Sequence, residues 1–223
     1  GTGSYIPEYI QKNSAFKAHS FYTIEGKSID TPTEIVVEKF KAITGISERR
    51  YAQKHLTASD LGALAAEKAI LDAKIDSESL DYIICAHNFG DVKAEAIQSD
   101  IIPCLAARIK HLLKIKNPKC VAYDILFGCP GWVEGVIQAQ AYIRAGMAKK
   151  CLVIGTETLS RVTDEHDRDS MIYADGAGAC IVEASLDVGV IAHETASYTY
   201  DEVYHLFFGN SNNKSRDKNV RFI

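Results

Sequence analysis

Cys129 is the residue in this chain most plainly placed to do chemistry. It stands in Gly128-Cys129-Pro130-Gly131, between a short apolar run, Cys120 to Leu126, and a stretch with helical spacing. In that stretch Trp132, Val133, Val136, Ile137, Gln140, Ala141 and Ile143 recur as one face, and Gly146 supplies a stop. The run before Gly128 reads as a buried strand. Pro130 fits the first helical position, where its missing N–H would have no partner anyway. The thiol would then stand at a helix N-terminus, where free N–H groups and the macrodipole favour an anion and lower a thiol pKa. The competing reading is that Cys129 is a small buried hydrophobe, as most free cysteines are.

A strand, a sharp Gly-Cys turn and a helix must hold that thiol, and the geometry is that of a nucleophile elbow with Cys in place of Ser. Arg49 and Arg50, in Ile46-Ser47-Glu48-Arg49-Arg50, are candidates for contact with a phosphate-bearing ligand. The alternative is a solvated charge pair. Asp175-Gly176-Ala177-Gly178-Ala179 is a weak match to a dinucleotide motif, because the third Gly is missing and a strand follows. A tight turn passing close to the Cys elbow is its expected role.

The remaining elements alternate. A helix is expected from Thr33 to Thr44, with Thr31 as cap, Pro32 at the first position, Ile35, Val36, Phe40 and Ile43 on one face, and Gly45 as its end. A second runs from Asp60 to Ala73 with an Ala-rich face, and a third opens at Pro103 and continues through Leu113. Strands are expected at Leu80–Ala86, Cys151–Gly155, Ala179–Glu183 and Gly189–His193, with polar connections at His87–Glu95 and Thr156–Arg168. The opening residues, Gly1 to Glu8, suggest the exit of a strand, and Asn210–Ser215 reads as a loop. Strands alternating with helices argue for an α/β layered fold with a mixed, mainly parallel sheet. No close internal repeat is visible.

Composition limits the classes of function. The chain has 223 residues, 47% hydrophobic and 24% charged, with a formal net charge of −4, which favours neither nucleic acid nor an anionic membrane as partner. No apolar run is long enough to span a bilayer and no signal-peptide pattern opens the chain. Cys85, Cys104, Cys120, Cys129, Cys151 and Cys180 form no C-x-x-C pair and read as reduced, cytosolic thiols. The His residues show no metal-ligand spacing, so no metal site is expected. The start at Gly1 and the end at Ile223, within VRFI, suggest a fragment, a processed product or part of a longer chain.

Several segments, in order and over nearly the whole length, resemble the 3-oxoacyl-acyl carrier protein synthase III family of thiolase-fold condensing enzymes. They are GTGSYIPE at 1–8, TGISERR at 44–50, the strand–GC–G–helix unit at 120–146, LVIGTETLSR at 152–161 and DRDSMIYADGAGA at 167–179. The resemblance covers the first half of that family's chain. It implies residues 1–185 as an N-terminal thiolase-like half and 186–223 as the start of a second half. It implies a layered αβαβα fold and a homodimer, and the reduced thiols read above suggest a cytoplasmic location.

The resemblance also implies a reaction. An acyl group passes from coenzyme A to Cys129, and the acyl-enzyme condenses decarboxylatively with malonyl-acyl carrier protein to begin fatty acid synthesis. Coenzyme A would enter as a thioester substrate, and no cofactor is implied. A thiolate suits both steps, because the new thioester keeps its carbonyl electrophilic. The Cys129 N–H would contribute to an oxyanion hole. Arg49 and Arg168 are the expected coenzyme contacts. Pro130 stands where the family has a small residue, the family's adenine-stacking Trp is absent near Lys39 and Phe40, and Ile102 stands where the family often has Phe. The His and Asn that assist the family's decarboxylation have no match, so a chain ending at Ile223 should be unable to condense. Alternatives are a secondary-metabolite ketosynthase, a hydroxymethylglutaryl-coenzyme A synthase-like enzyme, a non-catalytic partner subunit, or a Cys hydrolase, which would need a His base at Cys129.

Overall fold

The computed structural model describes residues 1–96, 98–186 and 211–214. Their strands are β1 (Thr2–Tyr5), β2 (Tyr9–Lys12), β3 (Glu48–Tyr51), β4 (Tyr82–His87), β5 (Asp91–Val92), β6 (Ser99–Asp100), β7 (Val121–Leu126), β8 (Lys150–Thr158) and β9 (Asp175–Glu183). The α-helices are α1 (Thr33–Thr44), α2 (Ala58–Ala73), α3 (Leu105–Leu112) and α4 (Gly131–Arg144). The main sheet has the order β1-β9-β8-β4-β7. β4 runs parallel to β7 and β8, while β9 runs antiparallel between β8 and β1. Four of the five strands therefore point the same way.

Apolar alternation explains why helices cover both faces of that sheet. Ile83 and Cys85 of β4, with Leu152 and Ile154 of β8, pack under α2 and α3. Ile84, Cys151 and Val153, the intervening residues, pack against Ala139 of α4. A strand buried on both faces reads as a continuous apolar run, as β4 and the first half of β8 do. Thr57 caps α2, and the Asp60 carboxylate accepts both the Thr57 N–H and its hydroxyl at 2.8 Å. That helix begins at Ala58, two residues ahead of the expected start.

Other expectations need correction. β7 is not buried on both faces. It is an edge strand that pairs with β4, and Val121 and Leu126 are exposed. Thr31 does not cap α1; Pro32 occupies the N-cap position, and Gly45 ends the helix at φ 73° as expected. Val37 and Phe40 are the buried residues of α1, packing with Phe16, Phe21 and Met171, while Ile35 and Ile43 are exposed. Pro103 does not open α3, which starts at Leu105. The Asp124 carboxylate of β7 accepts the N–H groups of Leu105 and Ala106 at 2.7 and 2.8 Å, tying the first turn of α3 to the sheet. The Gly-rich segment from Asp175 is not a turn but the start of β9, where Gly176 and Gly178 pair with Glu157 and Gly155. The expected strand Gly189–His193 and nearly all of 186–223 lie outside the described residues. Among the described residues no helix is long and apolar enough to cross a membrane.

β1 seats tightly on α2. A Cβ at Gly3 would stand 2.2 Å from the Ala65 carbonyl oxygen, whereas one at Gly178 would meet open space. Gly3→Ala should therefore cost about 1–3 kcal/mol, the usual range for overpacking a close contact. Gly178→Ala should leave stability near that of the parent. Urea unfolding midpoints check both, and an unshifted Gly3→Ala midpoint would refute the tight seat.

Candidate active site

Cys129 follows β7 on a sharp bend. Gly128 has φ 61°, the left-handed conformation that a residue with a Cβ adopts at a cost. The Gly131 N–H donates to the Gly128 carbonyl at 3.0 Å and closes the bend. Pro130 sits at the N-cap position, one residue outside the expected place, and α4 starts at Gly131. The bend lies close to the sheet because α4 does. A Cβ at Gly131 would be 2.9 Å from Ala86 Cβ, and one at Gly135 would be 2.8 Å from Val153 Cγ1. The elbow geometry expected of this segment is present, and the Cys129 N–H donates to no acceptor among the described residues. That donor is available to an oxyanion.

All six cysteines are free, and Cys129 is the exposed one. The buried-hydrophobe alternative for Cys129 therefore fails. It does apply to others: Cys85, Cys120 and Cys151 are buried. Burial pushes the Cys85, Cys104 and Cys120 thiols up, that of Cys180 to about 11 and that of Cys151 to about 12.

Cys129 opens on a cavity of about 300 Å³ whose walls include His87, Asn88, Trp132 and Glu157. The glycines of β8 and β9 leave one wall without side chains, and the Trp132 side chain lies against Gly155. His87 is buried with both ring nitrogens engaged. The Gly90 N–H donates to Nδ1 at 3.0 Å, which places the proton on Nε2 for donation to Asp124 Oδ2 at 2.8 Å. His87 is thus held as a structural link rather than as a base for Cys129, which counts against the hydrolase alternative. Glu157 Oε2 accepts both the backbone N–H and the side-chain Nδ2–H of Asn88, at 2.7 and 2.8 Å. Burial pushes the Glu157 carboxyl up, against those two hydrogen bonds. Sequence patterning placed Asn88 and Glu157 in polar connections. Their position at the carboxyl ends of parallel strands was the available signal.

Arg49 is not placed to hold a coenzyme. It is buried, and its guanidinium donates to the carbonyls of Met171 and Gln11 at 3.1 Å each and to Asn13 Oδ1 at 2.6 Å. Its charge also sits 4.8 Å from the centre of the Phe16 ring. These contacts join β3, the β2 segment and the turn before β9 into one unit. Arg50 reaches the Pro7 carbonyl at 3.4 Å. Arg168 differs from Arg49. Its side chain is 60% exposed, with Nε 3.7 Å from Asp169 Oδ1. It lines a second cavity, of about 350 Å³, with Lys39, Phe40, Ile43 and Ile172. Lys39 and Ile43 place the C-terminal half of α1 along that cavity. Among the described residues no group of three or more metal-ligating side chains gathers.

Two outcomes follow from these environments. Iodoacetamide should label Cys129 faster than the other five thiols in the folded protein, read by peptide mass spectrometry; equal or slower labelling would count against an exposed, reactive elbow thiol. Arg49→Ala should destabilise the protein by about 3 kcal/mol, since it strips three acceptors of a buried charged donor. A denaturation midpoint unchanged by that substitution would return Arg49 to the ligand-contact reading.

Comparison with known proteins agrees with this geometry. Residues 123–199 match the family model described as 3-oxoacyl-[acyl-carrier-protein (ACP)] synthase III. The chain is 37% identical over 193 residues to beta-ketoacyl-[acyl-carrier-protein] synthase III 1 of Vibrio vulnificus, covering 86% of this chain and 54% of that protein. It is 35% identical over 202 residues to the synthase III of Pseudoalteromonas atlantica, covering 89% and 56%. The crystal structure of the Thermus thermophilus synthase III superposes with a TM-score of 0.64 at 32% identity, over 82% of this chain and 50% of that one. The chain spans about half the length of the curated relatives it matches. With its elbow cysteine and its thiolase-type sheet, it belongs to the 3-oxoacyl-acyl carrier protein synthase III family.

Proposed function

We propose that this protein is an acyltransferase that takes an acyl group from acyl-coenzyme A onto Cys129 and condenses it decarboxylatively with malonyl-acyl carrier protein. The observation that carries the proposal is the exposed Cys129 thiol on its left-handed glycine bend, beside a cavity and within this family. In the first step the Cys129 sulfur attacks the thioester carbonyl. The coenzyme sulfur leaves with the proton that Cys129 gives up. The Cys129 N–H stabilises the tetrahedral oxyanion.

The cavity at Arg168 is the proposed seat of the coenzyme's phosphate-bearing end. Arg168 and Lys39 supply positive charge there, and Phe40, Ile43 and Ile172 supply apolar surface. Residues 1–185 form the nucleophile-bearing half in this proposal, and 186–223 enter a second half. Among the described residues no strand lies on the outer edge of β7, and that edge suits pairing with a second copy, which supports a homodimer. Reduced thiols support a cytoplasmic location.

Incubation of the full-length protein with acetyl-coenzyme A, followed by intact mass measurement, tests the first step. One acetyl group should appear on the parent and be absent from Cys129→Ala. A parent protein that gains no mass would sink the acyl-carrier assignment. Adding malonyl-acyl carrier protein should then discharge the acetyl group with release of carbon dioxide; discharge by acetoacetyl-coenzyme A instead would favour the hydroxymethylglutaryl-coenzyme A synthase-like alternative.

A further inference from the structure

We propose that Glu157, held by Asn88, is a polar wall of the acyl pocket, and that the protein prefers acyl groups bearing an oxygen at carbon 3 over plain alkyl chains. This rests on the reading of Cys129 as the acyl carrier. Cys129, Asn88 and Glu157 line one cavity, so an acyl group on the Cys129 sulfur shares that space with the carboxyl. The two hydrogen bonds from Asn88 fix one carboxyl oxygen, Oε2, and thereby the orientation of the group. Glu157 can then present the rest of its polar surface to what enters.

The other walls leave Glu157 and Asn88 as the fixed polar pair. Gly155, Gly176 and Gly178 contribute backbone, Trp132 closes the space over Gly155, and Ala86, Leu159 and Ala177 add apolar side chains. An alkyl chain entering there would strip water from the Glu157–Asn88 pair and return no hydrogen bond. A 3-hydroxyacyl group brings both a donor and an acceptor, and a 3-oxoacyl group brings an acceptor. Burial pushes the carboxyl towards its protonated form, which can donate to either. A site built to hydrogen-bond a substrate oxygen rejects the analogue that lacks it more strongly than an apolar pocket rejects an added hydroxyl.

Competition between two thioesters provides the test. The full-length protein is mixed with equal amounts of butyryl-coenzyme A and 3-hydroxybutyryl-coenzyme A, and in a second arm with butyryl- and acetoacetyl-coenzyme A. Intact mass gives the ratio of the two acyl groups on Cys129. The parent should load the oxygenated group at least about tenfold over butyryl, a margin within reach of one well-placed hydrogen bond. In Glu157→Leu that ratio should collapse towards one, and in Glu157→Gln, whose amide can still donate, it should be largely kept. A parent that loads butyryl equally well overturns the proposal and leaves Cys129 as acyl carrier intact. Retention of the full preference in Glu157→Leu also overturns it. A protein that takes up none of the three acyl groups overturns both this inference and the acyl-carrier reading beneath it.

Discussion

The rest of the site depends on how closely α4 approaches the sheet. Gly131 and Gly135 face Ala86 and Val153 at distances that leave no room for a Cβ. That contact fixes the N-terminal end of α4, and the end of α4 fixes Cys129. The chain must climb from the end of β7 onto a helix pressed against β4 and β8, and it does so within a few residues. The bend is made with Gly128 in the left-handed conformation, which glycine adopts at little cost. The exposed thiol is thus a consequence of interior packing. A larger side chain on the inner face of α4 would lift the helix and move the thiol with it.

Three adjacent parallel strands end at the same edge of the sheet, and each delivers a residue to the cavity there. β4 leads into Asn88, β7 leads through Gly128 into Cys129, and β8 carries Glu157 near its end. Open α/β sheets bind ligands outside the carboxyl ends of their strands, because loops there can diverge while the strands stay in register. β9 enters the same edge from the opposite direction with Gly176 and Gly178, so it contributes backbone where the others contribute chemistry. Asp124 and His87 brace this end from behind, linking β7 to the first turn of α3 and to the Gly90 bend.

Apolar periodicity was sufficient to locate the framework. β4, β8, α4 and the end of α1 at Gly45 follow from runs, spacing and glycine position, and Cys129 follows from the Gly-Cys-Pro-Gly bend. What patterning missed was set by contacts distant in sequence. Arg49 looks like any exposed arginine in its local segment; its burial comes from Met171, 122 residues away, and from Gln11 and Asn13. Ile35 and Ile43 continue the helical stripe of α1, yet Phe16, Phe21 and Met171 cover a face centred on Val37 and Phe40. β8 runs three residues past Gly155 because β9 pairs with Thr156, Glu157 and Thr158; the two threonines favour a strand, but the apolar run that marks β8 stops before them. Glu157 was hidden for the same reason.

For the proposed acyl transfer, the chemistry of a thioester explains how Cys129 could act although His87, the one imidazole among the described residues lining its cavity, is already engaged. Transfer from one thioester to another exchanges sulfur for sulfur, so the attacking and leaving groups have similar basicity and neither direction needs strong acid assistance. What the proposed step does need is an accessible thiol, a donor for the oxyanion and a place for the acyl chain; Cys129 is exposed and a cavity lies beside it. Hydrolysis is different, because water must be activated as it attacks. His87 is the imidazole nearest to that task in the cavity wall, and Gly90 and Asp124 occupy both of its nitrogens. With both of its nitrogens engaged, His87 would not activate water against an acyl group on Cys129. Under the proposed function, such an acyl group would wait for an acceptor that brings its own activated carbon.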